Sequence, residues 1–428
     1  MQRQKATYPL SGEAYKQIKL QMLNWAKQFS IFLFLDSNDY PDKYGRYECL
    51  LAAGAKEVLS AGLTELQQFH DLSKDWLFGH ICYDYKNVLE PKLRSNHNVK
   101  HNWQDLFFFR PGVVCYIDKD KTALTIESLT LAPTEIFKAI CAASQTIDNK
   151  ILQLSFTHRI DKTTYLDTIS VLRKHIKDGD CYEINFCNEG FVQHAVIEPL
   201  AVFQKLNELS PAPFGACYRN EDSYMLCSSP ERYLYKTGNT VLSQPIKGTA
   251  RRGNSAEEDK ANRSGLQDSV KDKAENVMIV DLVRNDLSRS CEVGSIKVDE
   301  LFGIYSFPQV HQMISTVSGT LRQGSSFTDA IRFSFPMGSM TGAPKVKVME
   351  LIENYEHARR ELFSGTVGYI NPNGDFDFNV IIRSLFYNAA TQYLSYQTGG
   401  AITYDSTPEQ EWEEMRLKAW ALEKVFHV

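Results

Sequence analysis

Four things are scarce in this chain of 428 residues, and each scarcity removes a class of function. Basic charge is the first: 47 Lys and Arg face 52 Asp and Glu, giving a net charge of −5 and a pI of about 6.1. Such a balance carries neither the basic footprint of a nucleic-acid binder nor a polybasic membrane patch. Long apolar runs are the second, since a run such as residues 31–35 falls far short of the roughly 20 residues of a membrane span. The first ten residues also lack the apolar stretch of a secretory signal. Paired cysteines are the third. Nine stand singly (Cys49, Cys82, Cys115, Cys141, Cys181, Cys187, Cys217, Cys227 and Cys291), with no C-x-x-C spacing. Reduced thiols in a cytoplasmic protein are therefore expected, most of them acting as small buried hydrophobes, with no disulfide framework and no zinc knuckle. Dinucleotide and phosphate loops are the fourth. No G-x-G-x-x-G follows a strand, and Gly338-Ser-Met-Thr-Gly-Ala-Pro-Lys345 places a proline where a phosphate loop needs glycine. No repeat or low-complexity segment occurs.

What the chain does contain is globular: 43% apolar and 23% charged residues. Its length exceeds a single simple core, so it divides into a front segment, 1–150, and a larger part, 151–428. In the front segment, strand-like runs at 31–35, 76–83, 106–109, 112–117 and 123–126 alternate with turns, and 133–152 reads as helix. Leu166, Ile169, Leu172 and Ile176 form a helical stripe across 165–177. Gly179-Asp180 stops it, and 181–186 reads as a strand. The polar stretch 255–276 fits a mobile loop or the solvated face of a helix. A C-terminal helix at 411–426 carries acids early and Lys418 and Lys424 late, as the macrodipole favours. Helices and strands without regular βαβ alternation predict an α+β fold.

Several residues could carry chemistry. In Pro245-Ile246-Lys247-Gly248-Thr249, the proline fixes its own φ and Gly248 permits close backbone approach. Lys247 in that bend suits a nucleophile, an acid–base group or an anion anchor, and fits an ordinary loop lysine too. Asp272 and Glu275 are three apart, as are Glu411 and Glu414, so each pair shares a helix face. Brought together they would suit Mg²⁺, although the spacing equally fits solvated surface. Glu231 follows Pro230 and is either a desolvated general acid or a turn-capping acid. Arg383, inside the apolar run 380–386, needs an anion. Gly399 and Gly400 either offer amides to a carboxylate or make a tight turn. Charges at Asp281-Leu-Val-Arg-Asn-Asp286 suggest a structural network.

Taken in order, Pro245–Thr249, the block Lys271-Asp-Lys-Ala-Glu-Asn-Val-Met-Ile-Val-Asp-Leu-Val-Arg-Asn-Asp286, the Gly338–Lys345 segment, Ile381-Ile-Arg383 and Glu411-Trp-Glu-Glu414 resemble the chorismate-utilising enzymes. These are the large synthase subunits that make anthranilate, aminodeoxychorismate, isochorismate and salicylate. The resemblance covers 165–428 and extends forward through Leu35-Asp-Ser37 and Gly79-His-Ile-Cys-Tyr83. Lys247 is similar to the aminodeoxychorismate-forming branch, because anthranilate-type members usually carry alanine there. The resemblance implies two large facing β-sheets with helices outside, the front segment adding strands to the same body.

Amination of chorismate at C4, towards para-aminobenzoate and folate, is the activity that it implies. Mg²⁺ would be held by Glu275 and Glu414, with Asp272 and Glu411 close behind. Arg383, Tyr369 and the amides of Gly399 and Gly400 would position the pyruvyl end, and Gly248 and Thr249 would line the pocket. Lys247, desolvated and deprotonated, would add at C2 while Glu231 assists the leaving hydroxyl. No Gly-x-Cys-x-Gly elbow occurs, so ammonia is expected from a separate glutamine amidotransferase subunit. No lyase domain for aminodeoxychorismate is recognised either. The alternatives are an anthranilate synthase component I and a non-catalytic subunit that binds chorismate or tryptophan. Three departures stand out: Gln312 at the place of a family histidine with His311 one earlier, Ala401 as third residue of a glycine turn, and Glu183 in Tyr182-Glu-Ile-Asn185.

Overall fold

Strict alternation of apolar side chains lets single strands serve two cores. In the strand Ile31–Asp36, Ile31 and Leu33 face one cluster while Phe32 and Phe34 face another. The neighbouring strand Tyr47–Leu59 repeats the pattern, with Leu50 and Ala52 on one side and Cys49, Leu51 and Ala53 on the other. These relations come from a computed structural model that describes residues 2–147, 151–308 and 310–427.

The long strand Leu106–Asp118 is the junction of the sheet. It pairs antiparallel with Tyr47–Leu59 along most of its length, with Leu77–Ile81 at its start and with Ala123–Ser128 towards its end. Two arms leave it. One continues from Tyr47–Leu59 through Ile31–Asp36, Phe214–Asn220, Ser223–Ser229, Ser384–Asn388, Tyr393–Ile402 and Glu183–Val192. The other runs through Leu77–Ile81, Thr366–Ile370, Phe376–Asn379, Arg232–Thr237, Thr240–Gln244 and Val310–Thr320. Ile246–Arg251 and Lys297–Ser306 then pair with Val310–Thr320. One apolar cluster contains Leu33, Tyr218 and Met225 from the first arm and Phe78, Leu234 and Phe378 from the second. The arms therefore face each other across that core, in the α+β arrangement of two large facing sheets.

Helices close the outside. Ala14–Ala26, Pro133–Ala142, Pro199–Leu209 and Pro408–Lys424 bury apolar faces against the outer side of the first arm. Ile279, Val280 and Val283 of Val270–Ser288 enter the inner core from the second arm's far end. Strands from before and after residue 150 interleave, since Ile31–Asp36 lies between Tyr47–Leu59 and Phe214–Asn220. Residue 150 thus does not separate two cores.

Several local expectations change. The runs 106–109 and 112–117 are one strand, because Pro111 falls where the partner strand bulges after Ala55, and a bulge tolerates a proline's missing donor. The strand expected over 76–83 is Leu77–Ile81, followed by a short 3₁₀ turn, Tyr83–Tyr85. The helix expected over 133–152 ends at Ala142. There the Ser144 hydroxyl takes over local hydrogen bonding to Thr146; residues 148–150 lie outside the described residues. The strand expected over 181–186 is Glu183–Val192. Residues 255–276 form neither a loop nor one helix. Ser255 and Ser269 each cap a helix, Ala256–Asp268 and Val270–Ser288, by accepting from a backbone amide. All nine cysteines are free and eight are buried, Cys141 being exposed. No helix among the described residues is long and apolar enough to cross a membrane.

Candidate active site

Lys247 lies in a β-bulge. On Ile246–Arg251, Ile246 pairs with Ile314 and Thr249 with Gln312, so Lys247 and Gly248 together oppose a single residue. Bulges of this kind re-aim a side chain. Gly248 takes φ +92°, and a Cβ there would press on Asp272 and Leu266. The re-aimed lysine is buried, and its Nζ donates to Glu183 Oε1 at 2.5 Å. Glu183 is fully buried and opens the strand Glu183–Val192.

The Gly338–Lys345 segment holds that glutamate in place. Ala343 pairs with Glu183, the Tyr182 amide donates to Ala343 O at 2.8 Å, and the Asn185 amide donates to Thr341 O at 2.8 Å. Gly342 makes the approach possible, since its Cβ would fall 2.1 Å from Glu183 O. Lys345 is engaged inside the protein: it donates to Asp286 at 2.6 Å and to Ser334 O at 3.1 Å.

Other acids surround the amine. Glu231, buried between two strands, has its carboxyl pushed up to about 7 by burial, with the Ser339 hydroxyl and Lys247 pulling it partway back. Glu275, on Val270–Ser288, is likewise raised to about 7 by burial, against the pull of Lys247. Burial alone would lower the Lys247 ammonium, but Glu183, Glu275 and Glu231 outweigh it and hold the amine above the ordinary lysine value. The deprotonated resting amine expected from the sequence is therefore corrected: Lys247 is desolvated, yet it stays a cation because carboxylates face it.

Glu411 and Glu414 lie on Pro408–Lys424. Glu411 is buried, its carboxyl is raised by burial, and Oε2 has no partner. Glu414 is exposed and held low, first by Lys418, whose Nζ sits 2.7 Å away. Lys418 also donates to Gly399 O at 2.8 Å. Beyond the macrodipole role expected of Lys418 from the sequence, its i,i+4 spacing from Glu414 places the two on one helix face. Gly399 and Gly400 form no turn. They lie inside the strand Tyr393–Ile402, which loses its pairing with Ser384–Asn388 beyond Tyr396. A Cβ on Gly400 would fall 2.9 Å from Glu411 Oε2 and 3.5 Å from Glu414 Oε1.

Arg383 does not sit inside a strand either. It takes φ +52° just before Ser384–Asn388. Its guanidinium has no ion pair among the described residues, and burial depresses its charge while Glu414 supports it. A small hollow is lined by Arg383, Gln312, Ser228 and Pro230. Gln312 is buried with Oε1 unpartnered. His311, one residue earlier on the strand, points the other way, 3.0 Å from Asp259 and 2.8 Å from Ser306. Thr249 is exposed and pairs with Gln312.

Tyr369 must be corrected. Its ring packs beside Tyr47 and Trp76, and it lines a separate front cavity with Asp36, Glu48, Arg232 and Asp377.

Whether the acids suit Mg²⁺ can be tested on their surroundings. Among the described residues no three carboxylate, histidine or cysteine side chains converge to cage a metal. Mg²⁺ needs no such cage: it takes one or two carboxylates and completes its shell with water and substrate oxygens. Half-buried Glu275 and buried Glu411, both raised by desolvation, and the room left by Gly400 fit it.

The antiparallel double sheet, with a buried lysine ringed by carboxylates, defines a class. The chain matches the family of chorismate binding enzymes over residues 34–424, and it belongs to that family. Among curated relatives it is 33% identical to the chloroplastic aminodeoxychorismate synthase of Arabidopsis thaliana, over 96% of this chain and 47% of that protein. It is 34% identical to aminodeoxychorismate synthase component 1 of Bacillus subtilis, over 64% of this chain and 58% of that one. An anthranilate synthase component I-like protein of Synechocystis is 34% identical, over 85% of this chain and 74% of that one. The chain thus spans about half the length of the Arabidopsis and Bacillus proteins it matches. Its fold is that of anthranilate synthase component I from Streptococcus pneumoniae, with TM-score 0.79 at 22% identity over 90% of this chain and 93% of that one.

Proposed function

We propose that this chain aminates chorismate, as the large component of an aminodeoxychorismate synthase, using ammonia from a separate glutamine amidotransferase subunit. The observation that carries this reading is a buried amine, re-aimed by a bulge and ringed by Glu183, Glu231 and Glu275. Named relatives that are aminodeoxychorismate synthases support it.

Arg383, an unpaired cation beside Gln312, binds the pyruvyl carboxylate as a charge-assisted partner. Glu275 and Glu411, with Glu414 beyond, would hold Mg²⁺, which supplies positive charge to the ring carboxylate when bound. Burial keeps Glu231 partly protonated near neutrality, so it can give a proton to the departing C4 hydroxyl. Lys247 Nζ forms a bond to C2 as the C4–O bond breaks and water leaves. Ammonia then bonds to C4, the C2–N bond breaks, and the surplus proton of the new amine returns to Glu231. The product is 4-amino-4-deoxychorismate, a precursor of para-aminobenzoate and hence of folate.

The test is mass spectrometry of the product made from chorismate, Mg²⁺ and ammonium. Aminodeoxychorismate is expected. Direct accumulation of fluorescent anthranilate would overturn the assignment.

A further inference from the structure

We infer that Glu183 is the proton acceptor of Lys247: it takes the proton that leaves Nζ before the amine attacks and returns it when the amine is expelled. The inference rests on the reading of Lys247 as nucleophile and extends it to a residue that this reading does not use.

A cationic lysine cannot attack, so its proton must go somewhere. Water is a poor destination, because both Lys247 and Glu183 are buried. The acceptor that touches Nζ is Glu183 Oε1, at 2.5 Å. Glu231 and Glu275 act on the amine only through their charge, and the one ion pair of Glu275 among the described residues is with Lys271, at 3.8 Å.

Glu183 is also suited to accept. Oε2 of Glu183 is buried without a hydrogen-bond partner among the described residues, which leaves it free to take a proton, and Lys247 is the one ion-pair partner of Glu183 among them. In such a desolvated pair, the ionic and neutral forms lie much closer in energy than in water. Its position is fixed from behind. The Ala343 pairing clamps its backbone, and buried Arg360 donates to Asn185 O at 2.9 Å and to Met340 O at 2.7 Å.

The proton balance closes. Lys247 –NH₃⁺ and Glu183 –COO⁻ become –NH₂ and –COOH. The amine lone pair forms the C2–N bond, giving a secondary ammonium. When that bond breaks, the amine departs neutral and recovers the proton from Glu183. Glu231 separately serves the C4 hydroxyl and the incoming ammonia, so each carboxyl handles one nitrogen or oxygen centre.

Glu183→Gln and Glu183→Asp test this, with Lys247→Ala alongside. Two readouts are needed: steady-state amination against pH, and the pH dependence of Lys247 acetylation by limiting acetic anhydride, read by peptide mass spectrometry without turnover. In Glu183→Gln, Lys247 should acetylate at lower pH than in the parent, because its anionic partner is gone. Amination at neutral pH should nonetheless fall at least 100-fold, with the chorismate KM within about threefold and recovery towards alkaline pH. Glu183→Asp should restore part of the rate. Amination by Glu183→Gln equal to or above the parent would overturn the inference, since the glutamate would then only hold the amine in reserve. Parental acetylation behaviour in Glu183→Gln would overturn it too, because the pair would not govern the amine. Retained amination in Lys247→Ala would instead bring down the nucleophile reading itself.

Discussion

Two polar regions of this molecule, a front cavity and the surroundings of Lys247, differ in how their charges are paired. In the front cavity, Lys19 bridges Asp36, at 2.7 Å, and Glu48, while Arg232 joins Asp377, at 2.8 Å, and Asp42. No buried side-chain nitrogen or oxygen lining that cavity lacks a partner among the described residues. Around Lys247 the opposite holds: Glu183 Oε2, Glu411 Oε2, Gln312 Oε1 and Asn276 Nδ2 are all buried and unpartnered. Folding rarely leaves such groups unpaired, because each costs about 1–3 kcal/mol. Several gather here beside an unpaired arginine, where the proposed function places the substrate.

That contrast can be broken by exchanging its terms. The largest effect belongs to Lys247→Ala, which should cut amination on the order of 10³-fold or more while Mg²⁺-dependent chorismate binding survives in titration calorimetry. Loss of binding in step with rate would make Lys247 an anchor and not a reactant.

Next comes the front cavity. Arg232→Met strands Asp42 and Asp377 and should cost about 3–5 kcal/mol in urea unfolding. A cost below about 1 kcal/mol would remove the distinction between the two regions.

Glu231 sharpens the comparison through pH. Its carboxyl is raised from 4.5 to about 7 in the folded protein. Between those values the folded state keeps a proton that the unfolded chain has lost. Its stabilising contribution is therefore complete below 4.5 and disappears as pH rises through about 7. Glu231→Gln should flatten that decline and be the more stable protein at pH 8, by up to about 3 kcal/mol. Unfolding midpoints at pH 5 and pH 8 decide it.

The smallest effect is expected of Gly400→Ala. Its methyl would crowd Glu411 Oε2 at 2.9 Å, so Mg²⁺ affinity should fall roughly tenfold with stability changed by less than about 1 kcal/mol. Unchanged affinity would place the metal away from Glu411.

Much of the candidate site was readable because its residues announce themselves locally. Lys247 between a proline and a glycine, and acids three apart on helices, need no tertiary knowledge. The motif comparison placed Gln312 where family members carry a histidine, with His311 one earlier, and the structure turns His311 towards Asp259. The positions that escaped depend on distant chain. Tyr369 faces the front cavity because Thr366–Ile370 pairs with Leu77–Ile81, a register no local pattern fixes. Arg383 sits at φ +52°, a conformation that a non-glycine residue adopts only when its surroundings impose it. The proton on Lys247 was misjudged for a related reason: desolvation could be guessed from an apolar setting, but the carboxylates that hold the proton converge only in three dimensions.

The central claim is that Lys247 bonds to the ring of chorismate during turnover. Incubating the protein with chorismate and Mg²⁺ but no ammonia, quenching with acid and mapping peptides by mass spectrometry tests it most directly. The account predicts chorismate minus water attached at Lys247 and absent from Lys247→Ala. An unmodified Lys247 peptide in protein that still aminates chorismate when ammonium is added would contradict it.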